Sequence, residues 1–332
     1  MRLRPSPSPR STSAPGTLPD TGLRPRLSSL ARLLSKAALM ATAAAVLIAG
    51  CAPVRPHPGD DAAPPKRAAP APAPAPDSAR DSWRLVWADE FRGGAHRRPD
   101  RAKWVFDRGG EPQWGNREWQ YYTDRPRNVS LDGHGNLALT ARRERLRGMH
   151  CAVGPCNITS ARIKTKGRFA RAYGRFEARI KIPRGQGLWP AFWMLGANSD
   201  KVTWPANGEI DVMEALGRQP GMVHGTLHGP GYVAQGIETH TALPQGGRLS
   251  DGFHTYRVDW MPGKVVWYLD GAQYGTACSS QLRRGQKWVF DHPHYLLLNL
   301  AVGGNWPGPP DASTPFPSRM LVDYVRVYAP KR

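Results

Sequence analysis

The chain has 332 residues, 40% apolar and 22% charged, which suits one large domain with appendages and excludes a wholly disordered or membrane-embedded chain. Its 46 Lys and Arg outnumber 26 Asp and Glu to leave a net charge of +20, a surplus that raises nucleic acid or an anionic surface as a partner. The basic residues of the domain come in short pairs such as Arg142-Arg143 and Arg283-Arg284, which read as solvated faces and argue against a nucleic-acid binder.

Residues 1–35 are rich in Pro, Ser and Arg without periodicity and read as unstructured. Residues 37–49 are small and apolar and follow Arg32 and Lys36. This is the pattern of an export signal, too short to cross a bilayer comfortably. The run closes on Leu47-Ile48-Ala49-Gly50-Cys51, which resembles a bacterial lipobox and implies lipidation of Cys51. An ordinary secreted chain with an incidental Cys51 is the alternative. The Ala/Pro tract beyond it, clearest at residues 68–76, favours extended polyproline II and cannot bury a core, so it reads as a spacer. The expected division is an export signal over residues 1–51, a disordered linker over 52–82 and a folded domain over 83–332.

From Trp83 onward short β-rich runs are punctuated by Gly and Pro. Expected strands cover residues 83–87, 136–141, 254–260 and 265–269, with a terminal pair at 295–302 and 320–328. The clearest alternation sets Phe176, Ala178, Ile180 and Ile182 against Glu177, Arg179 and Lys181, a strand with one buried face. No long amphipathic helix appears, and no GxGxxG, P-loop or HExxH, which argues against dehydrogenase, NTPase and zincin. Many short strands at close spacing predict an all-β antiparallel sandwich. Cys151 and Cys156 suit a small disulfide loop in an exported chain, and a zinc site there lacks a second ligand pair. Cys278 has no evident partner and reads as a free thiol.

The segment Glu209-Ile210-Asp211-Val212-Met213-Glu214 concentrates three carboxylates in an apolar, β-branched run, which costs free energy unless a ligand or neighbour exploits it. In a regular strand Glu209 and Asp211 share a face and Glu214 points away. A β-bulge near Val212 and Met213 restores the phase. Glu209 and Glu214 then stand about 13 Å apart along the backbone, at roughly 3.3 Å per step. Leaning side chains close much of that gap, to ~5–5.5 Å in a retaining glycosidase or ~6.5–9.5 Å in an inverting one. Tryptophans precede the cluster at Trp189, Trp193 and Trp204. Indole faces stack on sugar rings while carboxylates work at the glycosidic bond.

This carboxylate pattern resembles the signature of glycoside hydrolase family 16, in the bulged form one residue longer than the lichenase-type version. Further segments resemble its bacterial laminarinases, which are endo-acting β-1,3-glucanases. They are Trp87-Ala88-Asp89-Glu90-Phe91, Tyr173-Gly174-Arg175-Phe176-Glu177-Ala178-Arg179, His224-Gly225-Thr226-Leu227-His228-Gly229, the run from Asn299 to Pro307 and the run from Val322 to Tyr328. The resemblance spans about Trp83 to Tyr328 and implies a concanavalin-like jelly roll whose concave sheet carries a cleft.

By the same resemblance Glu209 is the nucleophile, Glu214 the acid/base and Asp211 an auxiliary that tunes Glu209. Trp189, Trp193 and Trp204 are candidates for a stacking platform, with core filling as the alternative, and Pro190 is expected to disturb the strand between the first two. His228 would lie near the scissile bond, unless it is a satisfied structural histidine. Asn128 and Arg162 match positions that hydrogen-bond sugar hydroxyls. A structural calcium on the convex side would use Glu90, the backbone near Gly135 and Asp323, and no cofactor is expected for catalysis. The implied partner is a β-1,3-glucan polysaccharide. The alternatives are mixed-linkage 1,3-1,4-glucan, a galactan or, in another class, a non-catalytic glucan-binding protein, which would lack one of the two glutamates. A monomer is expected, exported to the cell surface or medium, with no nucleic-acid partner and membrane contact only through a lipid on Cys51.

Overall fold

The computed structural model describes residues 82–151, 154 and 157–331. The export signal, Cys51 and its lipobox, the Ala/Pro tract and Cys156 lie outside the described residues. In chain order the first strands are β1 (Trp83–Asp89), β2 (Val105–Phe106), β3 (Tyr121–Tyr122), β4 (Val129–Leu131), β5 (Leu137–Arg143) and β6 (Ile158–Ser160). Next come β7 (Arg162–Lys164), β8 (Gly174–Lys181), β9 (Leu188–Gly196), β10 (Glu209–Glu214), β11 (Met222–Gly229) and β12 (Tyr232–Ala242). The last are β13 (His254–Met261), β14 (Lys264–Leu269), β15 (Ala272–Cys278), β16 (His294–Val302) and β17 (Ser318–Pro330). Each strand expected from the sequence is present, with ends that differ by one or two residues.

The strands form two sheets, as the alternation requires. One has the order β15-β14-β13-β8-β17-β5-β6-β3, with β1 added to β17 and β4 to β5. The other runs β12-β11-β10-β9-β16-β7-β2. The pairings are antiparallel except β3 with β6. Phe176, Ala178, Ile180 and Ile182 are all buried and meet Phe192, Met194, Ile210, Val212 and Leu298 of the second sheet in one core. Each fully buried large apolar side chain of this kind contributes roughly 1.5–3 kcal/mol. β16 is buried along its whole length because it is central in its sheet and both of its faces are covered.

Arg175 departs from the simple pattern: it is buried on β8, where its Nε and Nη2 donate to both oxygens of Asp259 at 2.9 and 3.1 Å. A paired, bidentate geometry is what lets such charges leave water. Cys278 also departs from expectation. Cys151 is disulfide-bonded, and so is Cys278, which corrects the free-thiol reading.

The residues named for calcium do not fit the ion as they stand. Both Glu90 oxygens accept from Arg326, at 2.8 Å each, and Asp323 accepts from Arg179 at 2.6 Å. Gly135 sits in the turn before β5 at φ +87°. Each carboxylate is already matched by a guanidinium, where a calcium site needs several hard oxygens left free to converge.

Candidate active site

β10 lies between β9 and β11, and its register carries the irregularity that the carboxylate spacing demands. On β9, Asp211 pairs with Trp193 but Met213 pairs with Phe192 and Glu214 with Ala191. On β11, Asp211 pairs with Thr226 and Glu214 with His224. Two residues thus oppose one, and Ile210, Val212 and Met213 all enter the core fully buried. Glu209, Asp211 and Glu214 line the cleft together.

The surroundings accommodate this bulge. The Asp211 carbonyl accepts a 2.8 Å hydrogen bond from Trp267 Nε1 of the opposite sheet. The indole fits because position 225 is glycine: a Cβ there would lie 2.3 Å from Trp267 Cδ1. Gly208, immediately before the strand, holds φ +72°, a conformation that disfavours other residues.

The cleft has a volume of about 1120 Å³ and is walled by Trp114, Trp189, Trp193, Trp204 and Trp306. Two of these indoles hold the outer carboxylates. Trp204 Nε1 donates to Glu209 Oε2 at 2.8 Å, and Trp189 Nε1 donates to Glu214 Oε1 at 2.9 Å. Trp204 is nonetheless 47% exposed, so its ring is free to meet a ligand. His228 bridges to the middle acid: its Nε2 stands 3.4 Å from Asp211 Oδ2, while its Nδ1 lies 3.0 Å from the Val233 carbonyl. Both ring nitrogens therefore face acceptors, which suits an imidazolium.

Electrostatics follows from this crowding. Burial opposes the His228 charge, but the Asp211 carboxylate, then Glu209 and Glu214, outweigh it and raise its pKa to about 10. Burial first, and then the charge of Asp211, lifts Glu209 above the ordinary carboxylate range, against the pull of His228, the Trp204 N–H and Arg162. Glu214 is held well above that range by burial, Asp211 and Glu209, with only His228 and the Trp189 N–H opposing. Burial and the Asp211 charge thus push both glutamates toward the protonated form, and His228 opposes them at both.

The sequence model of glycosyl hydrolases family 16 matches residues 116–326. The chain belongs to that family. It is 40% identical over 260 residues to the beta-glucanase of Rhodothermus marinus, covering 74% of this chain and 85% of that one. The solved laminarinase catalytic domain from Thermotoga maritima is 44% identical with a TM-score of 0.70, over 76% of this chain and all of the other. The endo-beta-1,3-glucanase from Pyrococcus furiosus is 45% identical with a TM-score of 0.69, over 75% and 95%. This family 16 chain is a glycoside hydrolase with a jelly-roll fold.

The remaining expected residues divide. Trp189, Trp193, Trp204, His228 and Arg162 all line the cleft. The Arg162 guanidinium lies between two indoles, 4.9 Å from Trp114 and 4.7 Å from Trp193. It is anchored on Asp107 at 3.0 Å, and Trp193 Nε1 donates to Asn299 at 2.7 Å. Asn128 does not belong to the cleft. It is fully buried, donates to Thr140 O and Thr159 Oγ1 at 3.0 and 2.9 Å, and accepts from Thr123 at 2.6 Å. Its polar atoms are occupied by the fold.

Pro190 does not break β9 either. The pairing with β16 is continuous through Leu300, and the Pro190 carbonyl accepts Ala215 N–H at 3.2 Å where β10 ends. Only a terminal rung is lost. Sequence reasoning missed Trp114, Trp306 and Asn299 as cleft residues. The last two sit inside a motif that had been singled out, whereas Trp114 lies in an irregular loop with no periodic signal.

Proposed function

We propose that this enzyme hydrolyses internal β-1,3 bonds of a laminarin-like glucan with retention of anomeric configuration. The observation that carries the reading is a bulged strand presenting three carboxylates to an indole-walled cleft. In the first step the Glu209 carboxylate attacks the anomeric carbon, the bond to the leaving oxygen breaks, and Glu214 donates its proton to that oxygen. In the second, Glu214 takes a proton from water, the hydroxide adds to the anomeric carbon and Glu209 is released. Asp211, held by His228, tunes Glu209 through its charge. Trp204 and Trp189 keep the two glutamates oriented while offering apolar faces to sugars.

The cleft carboxylates, joined by Glu118 and Glu238, repel a phosphate backbone. A neutral polysaccharide is therefore the better occupant despite the overall positive charge. A polymeric substrate also accords with the export expected from the sequence.

The test is reducing-sugar release from laminarin, lichenan, agarose and carrageenan, with product anomers followed by NMR. Laminarin should be cleaved fastest and the β-anomer should appear first. Preference for lichenan or agarose would move the substrate to mixed-linkage glucan or galactan, and initial α-anomer would exclude the covalent step.

His228 offers a second check. Its charge lowers the pKa of both Glu209 and Glu214, so His228→Gln should move both limbs of the kcat/KM–pH profile to higher pH, by roughly one unit. An unchanged profile would show that the imidazolium does not act on the glutamates.

A further inference from the structure

At the edge of the cleft floor, beyond Glu214, three metal-ligating side chains converge that the proposed reaction does not use. His224 on β11 is the cross-strand partner of both Glu214 and His240, and Thr226, two residues on, is paired with Glu238 on β12. The strand period therefore puts His224, Glu238 and His240 on one face. His224 Nδ1 lies 2.8 Å from Glu238 Oε1, and His240 Nδ1 lies 3.9 Å from the same oxygen. One ligand atom from each of the three lies within 4.8 Å of the others.

We propose that His224, Glu238 and His240 bind one divalent ion of the zinc class, clipping edge strand β12 to β11 beside the cleft. A tetrahedral ion with bonds of ~2.0–2.1 Å separates its ligand atoms by roughly 3.3 Å. The separations of the two imidazoles from Glu238 Oε1, 2.8 and 3.9 Å, straddle that value, and three ligands leave the fourth position for water. Two imidazoles and a carboxylate suit zinc, copper or nickel, not calcium or magnesium.

The state of His224 supports the assignment. It is 7% exposed and its Nε2 is buried without a hydrogen-bond partner. An ion at Nδ1 takes the lone pair of the tautomer that carries its proton on Nε2. The site also connects to the cleft. His224 packs edge-on against Trp306 at 5.0 Å, Trp306 against Trp189 at 5.5 Å, and Trp189 donates to Glu214.

The test is calorimetric titration of the full chain with zinc chloride, together with the thermal midpoint at each zinc level. The variants are His240→Ala and Glu238→Gln. These side chains are 59% and 44% exposed, so neither change should impair folding. Wild type should bind one equivalent with a raised thermal midpoint, and each variant should weaken binding at least ~10-fold. Glu209, Asp211 and His228 form a rival cluster, and Glu209→Gln separates the two because it should leave zinc affinity unchanged. The proposal is overturned if wild type binds no zinc, if His240→Ala and Glu238→Gln bind it as wild type does, or if Glu209→Gln is the variant that loses it. The readout is binding, so loss of the glucanase reading would not affect it.

Discussion

Replacing Glu209 or Glu214 by Gln is expected to lower kcat on laminarin by more than roughly 10⁴-fold in each case. Both substitutions keep the local geometry, because a Gln carbonyl still accepts the Trp204 N–H at position 209 or the Trp189 N–H at position 214. What each removes is a single chemical capacity. In the proposed mechanism that capacity is, at 209, the oxygen that bonds to the anomeric carbon and, at 214, the proton for the leaving oxygen.

An aryl β-glucoside with a good leaving group distinguishes them. Such a group departs without protonation, so Glu214→Gln should regain most of the first step and show a burst, while Glu209→Gln should remain inactive. General acid catalysis typically supplies ~10²–10⁴-fold, which sets the size of the expected recovery. Undiminished laminarin hydrolysis in either variant would remove that residue from the mechanism.

Glu209→Gln should also be more stable than wild type, by an amount that depends on pH. The folded protein holds Glu209 at a pKa of about 8, chiefly through burial and secondarily through Asp211, whereas the unfolded chain titrates it near 4.3. Between these values the folded state binds a proton that the unfolded state has released, so this group makes stability fall as pH rises and level off above about 8. The amide variant lacks that loss. Denaturant midpoints should therefore coincide near pH 4 and diverge in favour of Glu209→Gln toward pH 8.5, by roughly 2–4 kcal/mol after allowance for solvent at the cleft mouth.

His228 adds to the same fall with pH, although its charged form stabilises the fold where that of Glu209 destabilises it. Its raised pKa contributes stability that is complete below about 6.5 and is lost as pH rises through about 10. A midpoint difference for Glu209→Gln that does not change with pH would mean that Glu209 is not desolvated in the native state. An active-site acid that destabilises its own fold is the usual relation between function and stability.

Much of the architecture was legible in residue order alone. The alternation at 176–182, the Gly and Pro punctuation and the absence of helical periodicity determined an antiparallel sandwich, and the odd spacing of Glu214 from Glu209 and Asp211 called for a bulge at Val212 and Met213. These are local signals: side-chain direction along a strand has a period of two, so a break in phase shows in the sequence itself.

What only the tertiary structure decided concerns partners distant along the chain. Asn128 proved to be a buried strut because Thr123, Thr140 and Thr159 saturate it. Glu90 and Asp323 are matched by Arg326 and Arg179, and Cys278 is in a disulfide. Trp114 and Trp306 join the cleft from loops, and His224 meets Glu238 and His240 only once β11 and β12 pair. Sequence by itself determined which way each strand residue points. Which groups satisfy or ionise one another depended on sheet order and loop closure, because hydrogen bonds and charges act over a few ångströms of space, whatever the separation along the chain.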